Sequence, residues 1–193
     1  MRLPYGIVAG SAPAAAKVAV VAGPDAALVA TPEQLRRWRR LTPLALWSAV
    51  SVRGVAPDAN IPDEILRGVA AELKRQDVEA HRLILLAEGK AARAALELVL
   101  RGAFDCAGLL VIAVPCAALS FRIVPTTTAI RLVVRREDTP ADLVTELRAT
   151  DIDARIIAFD SAANGARAAA SAAETFVLEL VANASRQSRH HGV

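Results

Sequence analysis

Rings, thiols and lysines are scarce in this sequence, and each scarcity excludes something. Aromatic residues make up 4% of the 193 positions, too few for a platform on which unpaired bases stack. The two cysteines, Cys106 and Cys116, cannot form a disulfide framework, so a reducing, cytoplasmic setting is expected. They have no Cys-x-x-Cys pairing and no histidine nearby, which gives no zinc site. No apolar run reaches the roughly 18 residues of a membrane span. Arg2 and the small apolar residues after it could open a signal peptide, but Pro4, Pro13 and Lys17 interrupt the apolar stretch that one needs. Neither a Gly-x-Gly-x-x-Gly turn nor a Gly-Lys-Ser/Thr phosphate loop is present, and no cofactor is expected. The net charge of +3 is too small to imply a nucleic-acid partner.

Apolar residues reach 54% against 22% charged, the balance of a well-buried globule. Much of the apolar fraction is alanine, so the core must be built from Val, Leu and Ile. Twenty of the 23 basic residues are arginine; this Ala and Arg bias reads first as the codon usage of a GC-rich genome.

Strand-like runs alternate with helical ones along the chain. Lys17–Gly23, Pro43–Arg53, Arg82–Leu86, Gly108–Val114, Ala129–Val134 and Asp153–Phe159 read as strands. Between and after them, helices are expected over the stretch that follows Thr31 and over Asp63–Lys74, Ala91–Leu100, Pro140–Ala149 and Ala166–Ala182. Thr31-Pro-Glu-Gln is a helix start, with Thr31 as cap, Pro32 in the first turn and Gln34 as the capping-box partner. Leu35, Trp38 and Leu41 form the apolar face of that helix. Arg36, Arg37, Arg39 and Arg40 lie around the other side and read as a solvated face rather than a nucleic-acid or anionic-lipid patch. The pattern predicts an α/β fold: a mostly parallel central sheet with helices on both faces. One domain over residues 1–184 is expected, followed by a polar, frayed tail over 185–193. Leu83, Leu85, Leu109, Val111, Val133 and Ile157 are the expected core.

The most informative segment is Leu83-Ile-Leu-Leu-Ala-Glu-Gly-Lys-Ala. A buried strand runs without a loop into a helix of small residues, as in the Gly-x-Ser-x-Gly nucleophile elbow. Ala87 and Ala91 stand where the two glycines would be, and Gly89 stands at the nucleophile position. The loop after the strand Ala129–Val134 carries Asp138. The loop after the last strand carries Asn164-Gly165, and Ala22-Gly23 follows the first strand. On these residues the chain resembles the α/β-hydrolase superfamily, closest to the small carboxylesterases and phospholipases, over about residues 5–182 and without a lid domain. The resemblance implies a serine-hydrolase triad at Gly89, Asp138 and Asn164, of which only Asp138 keeps its residue type. It implies an oxyanion loop near Gly23 and the backbone N–H of Lys90.

A serine hydrolase needs a hydroxyl and a base to take its proton, and these positions supply neither. His81 precedes its strand, and His190 and His191 lie in the tail. A non-catalytic protein, binding a small molecule at the Gly89/Asp138 rim or a protein partner, is therefore expected. The alternative is an esterase of low or altered activity working through other residues, with Cys116 and Ser120 as displaced nucleophiles. Each residue also has a plainer reading: Asp138 as a turn residue before Pro140, the Lys90 side chain as solvated, Glu88 as a salt-link partner, and Cys116 and Ser120 as structural.

Overall fold

Six consecutive residues, Leu83–Glu88, are buried without alternation, as expected only where both faces of a sheet are covered. This strand is third in chain order and sits inside a six-stranded parallel sheet. The computed structural model describes residues 16–23, 31–52, 60–114, 119–139, 141–160 and 162–190. The strands are β1 (Ala16–Ala22), β2 (Ala45–Ser51), β3 (Leu83–Glu88), β4 (Gly108–Ile112), β5 (Ala129–Arg135) and β6 (Ala154–Phe159). The helices are α1 (Pro32–Leu41), α2 (Ile61–Gln76), α3 (Gly89–Leu100), α4 (Ala141–Ala149) and α5 (Ala162–His190). The strand order is β2-β1-β3-β4-β5-β6, every pair parallel. The order reverses between β1 and β3, and a crevice at the carboxyl ends of the strands is expected at such a switch point.

The alternation of side chains along a strand divides the core in two. Leu83, Leu85 and Ala87 pack with Ile65 and Val69 of α2, with α3, and with Leu143 and Leu147 of α4. Ile84 and Leu86 pack on the other face with Trp38 of α1 and with Ala169, Ala173, Phe176 and Val177 of α5. The expected core residues are buried, except that Ile157 is half-buried. It lies on β6, where the sheet ends and no further strand covers it.

Local chemistry sets the element ends. Thr31 Oγ1 accepts from Gln34 N at 3.4 Å, and Pro32 sits in the first turn of α1. The second helix begins two residues before the expected Asp63, because Asn60 is its cap and accepts from Asp63 N. The second strand is shorter than Pro43–Arg53, because Pro43 and Leu44 form the turn that leaves α1. One expectation is corrected. Leu41 is not on a buried face: it is 40% exposed, the last residue of α1, past the reach of the packing around Trp38. The backbone of the expected tail is helical as far as His190, the end of α5; residues 191–193 lie outside the described residues. At about 1.5 Å per residue this 29-residue helix is roughly 43 Å long, about twice the length of the strands.

Candidate functional site

The ends of the parallel strands form one rim. Val21 of β1 pairs with Ala87 of β3, so Gly23 and Gly89, each two residues further on, leave the sheet side by side. Glu88 pairs with Ile112 and Ile112 with Val133, which puts the loop after β5, with Asp138, on the same rim. Gly23, Gly89 and the loop with Asp138 thus follow the carboxyl ends of β1, β3 and β5.

At Gly89 the chain passes from strand to helix with no loop between. Glu88 is extended (φ −134°, ψ 147°) and Gly89 has φ +62°. A side chain in that left-handed region meets its own backbone, so glycine is the residue it favours. Ala87, Ala91 and Ala92 are buried around the turn, and their small size lets β3 and α3 close on each other. Glu88 is buried as the last residue of β3. Lys90, in the first turn of α3, is exposed.

Asp138 ends a single 3-10 turn, Arg136–Asp138, directly after β5. Its Oδ2 lies 3.7 Å from Arg135 Nε, and Arg135 Nη1 donates to Glu137 Oε1 at 2.9 Å. The Glu137 hydrogen bond, and then the Asp138 charge, raise the Arg135 pKa above its ordinary value. Arg136 Nε donates to Asp160 Oδ1 at 2.6 Å. This part of the rim is an exposed ladder of ion pairs. Asn164 is exposed in the first turn of α5. Beside it, Gly165 lies so close to the Phe159 ring that an added Cβ would stand 2.6 Å from Cε2.

The remaining nucleophile and base candidates lie elsewhere. Ser120 is exposed in the segment after β4, and Cys116 lies outside the described residues. Cys106 precedes β4 at the opposite end of the sheet. Burial pushes its thiol up to about 12, so it is not a thiolate at neutral pH. His81 also lies at that end, paired with Glu79 (Nδ1 to Oε2 3.3 Å) and roughly 20 Å of strand away from the elbow. His190 is at the far end of α5, which leaves from the rim. Among the described residues no cluster of three His, Cys, Asp or Glu side chains could hold a metal ion, and no helix is long and apolar enough to cross a membrane.

One rim feature has no sequence signal. Ala113, just past β4, has φ +52° while its N–H donates to Val133 O at 3.0 Å. Alanine pays a steric penalty there that glycine does not. Ala113→Gly should therefore raise the unfolding free energy, by about 0.5–1 kcal/mol, as read from denaturant melts.

Solved structures share this fold. Esterase PE8 superposes with a TM-score of 0.66 at 16% identity, over 86% of this chain and 93% of that one. The Bacillus cereus carboxylesterase gives 0.60 at 9% identity, over 89% and 90%. The chain has the α/β-hydrolase fold. The Pyrobaculum calidifontis esterase, an α/β-hydrolase structure longer than this chain, also gives 0.60, at 10% identity over 90% and 77%. No protein-family model matches the sequence, and no curated protein does. At these identities the likeness is one of fold.

Proposed function

We propose that this chain is a non-catalytic protein of the α/β-hydrolase fold, whose elbow rim binds a small molecule or a protein partner. The observation that carries this reading is Gly89: it makes the left-handed turn between β3 and α3, where a nucleophile elbow would stand, with no side chain to attack a carbonyl. Acyl transfer at such an elbow needs an oxygen nucleophile, a base within hydrogen-bond reach, and an acid that orients the base. At the corresponding positions Gly89 has no oxygen, and the Asn164 amide takes no proton at neutral pH. Asp138 faces Arg135, the role of a local ion-pair partner. What remains is a rim with turn geometry suited to binding, lined by the charges of Lys90, Arg135, Arg136 and Asp160.

Activated short-chain esters test this reading. Wild-type protein should hydrolyse p-nitrophenyl acetate no faster than a heat-denatured control, and a fluorophosphonate probe should not label it. Gly89→Ser should add little turnover, because an unactivated hydroxyl is a weak nucleophile. It should also cost about 1–3 kcal/mol of stability, through its Cβ in the left-handed region. Gly89→Ser with Asn164→His should do slightly better than Gly89→Ser alone. Robust wild-type turnover, abolished by Cys116→Ala or Ser120→Ala, would replace this reading with that of an active esterase using a displaced nucleophile.

A further inference from the structure

The corner where α1 turns into β2 combines two properties that rarely coincide on a solvated surface. Arg36, Arg37, Arg39 and Arg40 are all exposed. Arg36 Nε donates to Pro32 O and Arg37 pairs with Glu174 of α5 (Nη2 to Oε2 3.0 Å), whereas Arg39 and Arg40 have no ion-pair partner among the described residues. Directly after them come Leu41 and Leu44, exposed by 40% and 49%.

A third leucine belongs to the same corner. Both α1 and α5 follow a strand of the parallel sheet and lie on the same face of it, so they run in the same direction. Arg37 and Glu174 join them at one level, and one turn further on stand Leu41 on α1 and Leu178 on α5. Leu178 is 38% exposed. Three of the four exposed large hydrophobic residues among those described thus gather beside four arginines. The acids near them are few: Glu33 lies at the other end of α1, Glu174 is paired, and Glu179 borders the cleft with Arg131 and Arg155 on the other flank of α5.

By its arginines alone this corner reads as a solvated face, but with Leu41, Leu44 and Leu178 exposed beside them we propose that it docks on the surface of an anionic phospholipid bilayer, independently of what the elbow rim does. Arginine forks match lipid phosphates, and a few basic groups near an anionic leaflet give salt-sensitive attraction. Leu41, Leu44 and Leu178 are placed to enter the boundary between headgroups and acyl chains. The leucines distinguish this partner from a nucleic acid, which would use the arginines and leave the leucines in water. The corner lies at the amino-terminal end of β2, opposite the elbow rim, so a docked protein turns that rim toward solvent.

Co-sedimentation with vesicles tests the proposal, using phosphatidylcholine alone and phosphatidylcholine with phosphatidylserine. Wild-type protein should bind the mixed vesicles, bind the neutral ones far less, and dissociate as salt rises. Each arginine is expected to contribute roughly fivefold, so R39Q/R40Q should weaken binding about 25-fold. L44S, which leaves the charge unchanged, should weaken it severalfold, and L41S/L44S further. Thermal melts establish that the variants are folded; all four positions are exposed. Equal binding to both vesicle types, or no effect of R39Q/R40Q, would overturn the proposal. So would binding to duplex DNA that falls with R39Q/R40Q and ignores L44S, which would identify a nucleic-acid surface instead.

Discussion

Glu72→Ala should destabilise the protein by about 3–5 kcal/mol, whereas Lys17→Met should be close to neutral. Lys17 sits on β1 with 1% of its side chain exposed, and its ammonium lies 3.3 Å from Glu72 Oε2 on α2. Removing Glu72 leaves a buried charge with no partner, while removing Lys17 replaces a desolvated cation by a side chain that suits the site. In Lys17→Met, Glu72 keeps Arg75 as its partner, at 2.7 Å. Burial, first of all, lowers the Lys17 pKa; the Arg75 hydrogen bond, first of all, lowers that of Glu72. The signs differ in consequence. The folded Glu72 pKa lies below the unfolded value, so its stabilisation is present above the usual 4.5 and lost as pH falls through the folded value. For Lys17 the unfolded chain binds the proton more tightly, so stability rises with pH between the folded value and 10.5. Urea melts across pH should show wild type losing its advantage over Glu72→Ala in acid. A constant difference between the two down to low pH would refute the pairing.

Leu85→Ala should cost about 2–5 kcal/mol. Leu85 is fully buried at the middle of β3, between Ala19 of β1 and Leu109 of β4, against the layer of α2, α3 and α4. Both neighbouring strands and the helices above are fixed by their own packing, so the site has little freedom to collapse onto the cavity. The midpoint of denaturant unfolding measures this directly; a shift worth less than about 0.5 kcal/mol would place β3 outside the core.

The fold was legible where composition and periodicity act locally. The run Leu83–Leu86 has no polar residue and is buried on both faces, and Thr31-Pro-Glu-Gln carries its own start signal. The strand-to-helix junction at Gly89 was legible because a strand and a helix of small residues meet there with no room for a loop, and Gly89 has a positive φ. What the sequence hid depends on partners far along the chain. Nothing near Lys17 shows that Glu72 will meet it, and nothing within β5 shows that Arg131 will be buried against Asp153 at 3.1 Å. Leu41 fitted the apolar face of α1 by spacing, but helix geometry does not say where the neighbouring layer ends. The left-handed Ala113 has no signal because alanine is the wrong residue for it by local preference.

The interior position of β1, between β2 and β3, has a consequence for synthesis. Its two edges are filled by β2 and by β3, but β3 ends 66 residues after β1 does, at Glu88 rather than Ala22. At ribosomal speeds of about 5–20 residues per second, that edge waits roughly 3–13 s for its partner. During this interval the nascent chain presents Val18, Val20 and Val21 on an unpaired apolar strand, a template for pairing with other chains. Every other strand pair must likewise close over a long stretch of sequence, as parallel strands require. Folding should accordingly be slow for a protein of this size, and yield on expression should depend more on chaperone supply and temperature than on the stability of the finished fold.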